Sequence, residues 1–429
     1  MSHGRMRLRG MSAESGGFDP VDMSECVVRE KAGNVANPEL RRSGVGGRGA
    51  GGYSIERVRS VEAFARLKEE WNGLLGEGTR HKPYLEHEYF SLYLEHGDPG
   101  GELSIFLVRR EGKLEAIFPF VLMREKQRGW SVRHLEFLGV ISMAMRTPIF
   151  GDEDASAREA ILAALFRYLA RSVRWDTLRL NFIPAEDFDV ATLERVLSAE
   201  GLVHRERAWF SGWYLDGIDV TGEAYVASRP KHIRRNMRRF AKQYGNGGGM
   251  RVEIITGGDD ETIERGMEHF HAVYKQSWKE WEFRPTFDRA LVRLARDKGY
   301  LRLGLLFVGE RPVAGQLWFV CERRAYGEKK AYDQAFKKVS PGITLTAAMI
   351  SHAIDEDQVV EVDHLYGDDT YKAYWTPQQR ERKNILIFNR RSVRGRLLGY
   401  IMPKVGPVMQ RFGALRSIRR AVLKVLRVK

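Results

Sequence analysis

The chain reads as a mixed α/β protein built from two tandem domains. Three observations support this. Its 429 residues exceed what one core ordinarily organises, since domains run at roughly 100–200 residues. Two stretches, 103–125 and 301–320, each read as a pair of long apolar strands joined by a glycine-bearing turn. Around each hairpin the order is the same: helices before it, then a further strand, a helix and a strand. No residue-level repeat accompanies this shared order, which points to a duplicated unit of diverged sequence.

Composition excludes several classes. The hydrophobic fraction of 43% and aromatic fraction of 11% are those of a globular protein. No run of about 18 apolar residues is present, so no transmembrane helix is expected. MSHGRMRLRG at the N-terminus leads into no apolar segment, so no secretory signal is expected. Cys26 and Cys321 are the only cysteines, which argues against a disulfide framework and for a cytoplasmic protein. The net charge of +14 is localised. Residues 382–429 carry 14 of the 70 basic residues and no acidic one, which leaves 56 against 56 in the rest. A body that grips nucleic acid would carry the excess itself; here it sits in one tail.

The elements follow in order. Residues 1–52 are rich in Gly, Arg and Ser without periodicity, as in a disordered leader. Order begins at Tyr53. Val61, Phe64, Leu67, Trp71 and Leu74 recur at three and four and predict a helix over 60–75. A second helix is expected at 86–94. Strands 103–110 and 114–125 flank Glu111-Gly112-Lys113, and 134–139 is a third strand. A helix over 155–173, a strand over 176–184 and a helix over 193–202 complete the first domain, 53–217. The second domain, 218–390, opens with a helix capped at Ser228-Arg229-Pro230. It continues with a strand at 250–256, helices at 260–281 and 287–299, and the hairpin 301–320 through Gly309-Glu310-Arg311. A strand at 324–333, a helix at 340–355 and a strand with its loop at 359–369 follow. The remainder, 391–429, is a basic tail. Leu415, Ile418, Val422, Val425 and Leu426 form an apolar stripe there, flanked by Arg416, Arg419, Arg420, Lys424 and Arg427. Such a helix suits an anionic membrane surface.

Residues 301–376 resemble the CelD-like acyltransferases of bacterial polysaccharide biosynthesis, within the GNAT superfamily. The likeness rests on Gly309, Ala314, Ala331-Tyr332-Asp333, Ser340-Pro341-Gly342, Val362-Asp363, Gly367, Tyr371-Lys372 and Trp375, with Tyr274, Trp278 and the run 231–239 upstream. It extends weakly over the first half. It implies two GNAT-like domains, an acyl-CoA donor such as acetyl-CoA, and an amine or hydroxyl acceptor. Fem-type transferases, which use aminoacyl-tRNA, have a similar paired architecture, so fold alone does not choose the donor.

Transfer of this kind needs a held pyrophosphate, a polarised carbonyl and an acceptor that loses a proton. Lys338, Ser340, Gly342 and Ile343 lie between a strand and a helix, where backbone N–H groups would face donor phosphates. An ordinary cap, with Ser340 at N-cap and Pro341 at N1, is the structural alternative. Asp333 and Asp363 sit at or in apolar strands, where a carboxylate tends to a raised pKa, as a base requires. His364 points to the opposite face of the strand and is the weaker candidate. Tyr371 is expected to serve the oxyanion or the leaving thiolate, and Lys372 a substrate anion. Asp368 and Asp369 lack a third ligand at metal spacing, so no metal is expected. Trp278, Trp281, Trp318 and Trp375 are candidates for a sugar-stacking wall, of which Trp318 reads as core, and Tyr332 is a further substrate-binding candidate. Lys231, Arg234, Arg235, Arg238 and Arg239 share a helix face. Arg235 and Arg239 would meet a phosphate-bearing acceptor such as a lipid-linked sugar. Nucleic acid is not expected, apart from tRNA in the Fem-type alternative. A third reading is a non-catalytic, membrane-attached assembly factor that keeps the fold.

Overall fold

The computed structural model describes residues 47–48 and 52–400, apart from 78–81, 98, 128–129, 140–146, 152–153, 186–187, 209–211, 246–248, 280–283 and 366–369. The leader and the tail stripe at 415–427 therefore lie outside the described residues. The fold is mixed α/β, with two mixed sheets and flanking helices.

In chain order the first part contains β1 (Gly47–Arg48), β2 (Tyr53–Val58), α1 (Val61–Ala65), α2 (Lys68–Glu77), α3 (His87–His96), β3 (Gly101–Arg110), β4 (Lys113–Gln127), β5 (Trp130–Phe137), β6 (Ile149–Phe150), α4 (Ala155–Ser172), β7 (Thr177–Pro184), α5 (Val190–Ala199) and β8 (Val203–Ala208). The second contains β9 (Gly212–Asp216), α6 (Gly222–Ala227), α7 (Lys231–Tyr244), β10 (Met250–Ile255), α8 (Asp260–Lys275), α9 (Pro285–Asp297), β11 (Leu301–Val308), β12 (Arg311–Cys321), β13 (Arg324–Tyr332), α10 (Pro341–Asp355), β14 (Glu361–Asp363), α11 (Thr370–Ala373), β15 (Gln378–Arg380) and β16 (Arg382–Phe388).

Local chemistry accounts for many of these. Glu111 and Gly112 both have positive φ, +52° and +86°, which is the turn that matches strand twist in a two-residue hairpin. Asp154 accepts from Ala157 N at 2.8 Å and starts α4; Asp259 accepts from Thr262 N at 2.9 Å and starts α8. The helix expected over 60–75 is two helices, because a turn at Arg66 and Leu67 interrupts it. Pro230, not Ser228, occupies the N-cap of α7; Ser228 closes α6. The strand expected from 359 is paired only at Glu361–Asp363.

The sheets run β1-β2-β3-β4-β5-β7-β16-β8, with β6 on β4, and β10-β11-β12-β13-β14-β9-β15. The expected division at 217/218 therefore does not coincide with the sheets. β9 joins the second sheet between β14 and β15, while β16 returns to the first sheet between β7 and β8. Ile385 and Ile387 are buried there and complete its core. A partner strand 200 residues away leaves no local signal.

Within each sheet one parallel pair occurs among otherwise antiparallel neighbours: β5 with β7, and β13 with β14. Each is joined by a helix, α4 or α10, as a parallel crossover requires. α8 and α9 cover one face of the second sheet, in a core shared with α2 and α3. α6, α7 and α10 cover the other. Tyr84 packs on Phe319 and Tyr326, and Lys298 reaches Glu86 at 3.2 Å and Glu88 at 2.9 Å, so the two halves meet across a dry aromatic seam with a charged rim.

Candidate functional site

β13 and β14 pair at only three positions: Arg324 with Glu361, Ala325 with Val362, and Tyr326 with Asp363. β13 continues to Tyr332, whereas the other chain turns away through Leu365 at φ +59°. Beyond Tyr326 the β13 edge faces no strand among the described residues. A wedge opens there, with the β13 edge as one wall.

A bulge sets what faces the wedge. Leu317 pairs with Lys329 and Trp318 with Gly327, so Glu328 is the extra residue. Lys329 consequently turns to the α8–α9 face, where its Nζ lies 2.6 Å from Asp288. Lys330 turns to the opposite face, with Nζ 4.4 Å from the centre of the Tyr371 ring. The Tyr371 hydroxyl is buried and has no hydrogen-bond partner among the described residues.

His364 closes the narrow end. It is 2% exposed, and its ring stands edge-on to Trp318 at 5.5 Å. A Cβ on Gly327 would lie 2.9 Å from its Nδ1; only glycine leaves room for the imidazole. Burial, and then Lys330 and Lys372, push the His364 pKa well below its ordinary value. From Trp318 a hydrogen-bond chain runs to the start of α10. Trp318 Nε1 donates to Gln316 at 2.9 Å, Gln316 Nε2 to Thr346 at 2.8 Å, and Thr346 Oγ1 to Gly342 O at 2.8 Å.

At the wide end the structure brings several candidates together. Ser340 has φ +54° and makes no side-chain cap bond, so it does not cap α10. The first turn of α10 follows two exposed lysines, Lys337 and Lys338, with Pro341 as its first residue. Ile343 is half-buried beside it. Tyr332 packs against Gly342, where an added Cβ would lie 3.4 Å from its ring. Trp278, 51% exposed, covers Tyr332 with ring centres 4.7 Å apart. Arg239 donates to Lys338 O, and Arg235 lies one helical turn before it on the exposed face of α7. None of the exposed cations of α7 is paired with a carboxylate among the described residues.

Other candidates stand elsewhere. Trp375 is fully buried in the core against α6, α7 and α10, and its carbonyl accepts from the Tyr225 hydroxyl. It is therefore not part of a stacking wall; its size fills the gap those helices leave. Asp363 does not lie among apolar groups alone. Arg380, which also donates to Glu361 at 3.1 Å, pairs with it, and Leu365 N donates to it at 2.6 Å. Asp333 caps the 3-10 turn Gln334–Val339 through Ala335 N at 2.9 Å and pairs with Arg311 at 2.5 Å. Lys372 is buried. Trp281, Asp368 and Asp369 lie outside the described residues. Gly327, a glycine inside a strand, was the sequence signal for the close approach of His364; Lys330 and Arg380 gave none.

On the α8–α9 face lies a cavity of about 640 Å³, lined by Glu268, His271, Lys275, Gln276, Arg289 and Arg311 among others. Asp288 Oδ2 accepts no hydrogen bond among the described residues and is 3.9 Å from His271 Nε2. Burial, then Arg289 and Lys329, lower the His271 pKa to about 4. Burial pushes the Asp288 carboxyl up.

Residues 231–373 match the model of an acetyltransferase (GNAT) domain. That span contains α7, the wedge, α10 and α11. No curated protein matches this chain in sequence. Among solved structures, FemX aligns at 12% identity with a TM-score of 0.50, over 78% of this chain and 98% of that one. L-PGS from Bacillus licheniformis aligns at 11% identity and 0.47, over 78% and 96%. A tandem GNAT protein from the clavulanic acid biosynthesis pathway aligns at 16% and 0.46, over 77% and 98%. Residues 231–373 thus match a GNAT-type acetyltransferase domain, within a fold similar to that of FemX.

Proposed function

We propose that the chain moves an acyl group from acyl-CoA to an amine or hydroxyl of a sugar or lipid-linked intermediate in exopolysaccharide or envelope assembly. The wedge between β13 and β14, ending at the start of α10, is the observation that supports this. A slender acyl arm laid along the open β13 edge can hydrogen-bond to its backbone, while phosphates meet the first turn of α10 with Lys337 and Lys338. Trp278 and Tyr332 would pack on the donor, and Tyr371 would protonate the leaving thiolate. The cavity over His271 would take the acceptor, with Lys275, Arg289 and Arg311 favouring one that carries a phosphate or carboxylate. Asp333 and Asp363, each engaged by an arginine, would hold the walls of the site rather than take a proton. On this reading the enzyme works at the inner face of the plasma membrane, attached through its basic tail.

A second reading is favoured by one feature. The unpaired cations of α7 continue through Arg239 to Lys338 at the mouth of the wedge, and the phosphodiester backbone of a charged tRNA would suit that surface. Calorimetry on the full chain separates the two. Micromolar acetyl-CoA binding, about −8 kcal/mol, that is lost on mutating Lys338 supports the first. No response to acyl-CoA, with binding of charged tRNA, selects the second.

A further inference from the structure

We infer that His364 donates an N–H hydrogen bond to the oxyanion formed at the donor carbonyl, with Lys330 and Lys372 supplying the nearby positive charge. The inference rests on the acyl-transfer reading and names the group that reading leaves unassigned: the one that stabilises the tetrahedral intermediate.

Neither ring nitrogen of His364 has a hydrogen-bond partner among the described residues, although the residue is 2% exposed. Leaving a buried polar group unmatched is costly, and such groups persist where a ligand or intermediate completes them. The location fits. The ring lies against Gly327, where β13 leaves β14, so a carbonyl drawn to the narrow end of the wedge would reach it. The groups against the ring are Trp318 and Gly327 from the sheet, and the charges of Lys330 on β13 and Lys372 on α11 act on it. The neighbouring Asp363 is turned to Arg380. Buried, and with the charges of Lys330 and Lys372 acting on it, the imidazole stays neutral and keeps one N–H. It is thereby a poor proton acceptor and a good neutral donor, and the same lysines that oppose its protonation favour an oxyanion.

The step balances without an added reagent. The acceptor lone pair forms a bond to the carbonyl carbon, and the C=O π pair moves to oxygen, which accepts from His364. Collapse restores C=O and breaks the bond to sulfur; the leaving thiolate takes a proton from Tyr371, which is restored by the proton the acceptor loses.

The test uses the full chain and its His364→Ala, His364→Gln and Lys330→Met variants. Thiol release from acetyl-CoA, or tRNA release from aminoacyl-tRNA, is followed with melting curves as a check on folding. His364→Ala should lower kcat by about 10²–10³-fold with KM little changed, the cost of one lost oxyanion donor. His364→Gln keeps an N–H and should retain at least tenfold more activity than Ala. Neither should alter the acid limb of the pH profile. If His364→Ala fails to fold, the Gln and Lys330→Met variants carry the test, and full activity in both overturns the inference. So does an acid limb in the wild type that vanishes in His364→Gln, which would make His364 the base. A wild type that binds and turns over neither donor removes the acyl-transfer reading itself. A wild type that turns over while His364→Ala matches it removes this inference alone.

Discussion

The two halves contain the same crossover, and they differ in which strand runs past the parallel pairing. In the first half β5 pairs with β7 at His134–Glu136 and ends one residue later at Phe137, so β5 itself does not run past the pairing, although β7 continues to Pro184. In the second, β13 runs on from Tyr326 to Tyr332. Each crossover holds a buried histidine. His134 is engaged, with Nε2 3.3 Å from Arg179 and 3.4 Å from Glu125; His364 is not. The helix starts differ in the same sense. α4 begins with Asp154, whose carboxylate occupies its first-turn amides. α10 begins with Ser340, which makes no cap bond, after two lysines. A negative charge built into a helix start excludes an anionic ligand; an uncapped start beside lysines accepts one. The same topological unit therefore has its histidine and helix start engaged in one half and, among the described residues, unmatched in the other, and the latter lies within the acetyltransferase match.

Four tests, using six substitutions, break or sharpen this contrast, taken from the largest expected effect. Trp375→Ala should cost about 4 kcal/mol in chemical denaturation, since a fully buried ring leaves a cavity. Trp278→Ala, at an exposed ring, should stay within about 0.5 kcal/mol while weakening donor binding. Equal stability losses would place both rings in the core.

Asp363→Asn leaves Arg380 with Glu361 alone and should cost about 3 kcal/mol. Its activity should fall in step with its melting temperature. A dead but fully stable variant would return Asp363 to the role of base.

Ser340→Asp gives α10 the acidic start of α4. Donor affinity should drop about tenfold, about 1.4 kcal/mol, by calorimetry. Asp154→Ser should leave donor affinity unchanged, and a loss there would show that the first half takes part in binding.

The smallest effect concerns pH. His271 titrates near 4 in the fold, below its ordinary 6.5. The unfolded chain therefore binds the extra proton first. This contribution is complete above about pH 6.5 and is lost as pH falls through 6.5 toward 4. His271→Gln should flatten the melting temperature over that range, and an unchanged slope would assign it to other groups.

Much of the architecture is local chemistry. The hairpin at Glu111-Gly112 follows from two residues that accept positive φ. The starts of α4 and α8 follow from an aspartate three residues before a free amide. Periods of two and of three to four separated strands from helices because each depends only on neighbours within one or two turns. The cluster at the start of α10, which the proposed function assigns to the donor, was readable for the same reason: Gly342, Lys338 and Tyr332 are close in sequence, and the strand–loop–helix pattern places them. What the chain order could not reveal was set by partners far along it. β9 and β16 change sheets because hydrogen bonding across a sheet edge is blind to sequence distance. Trp278 and Trp375 are the same residue type; three helices bury one, and none covers the other. Arg380 meets Asp363, and Gly327 admits His364, only once separate elements pack. Identity and spacing thus determined the elements and the uncapped helix start beside two lysines. Packing decided which carboxylates are engaged, which tryptophan is exposed and which histidine is left unmatched, because burial and charge pairing belong to the folded surface and not to any segment of it.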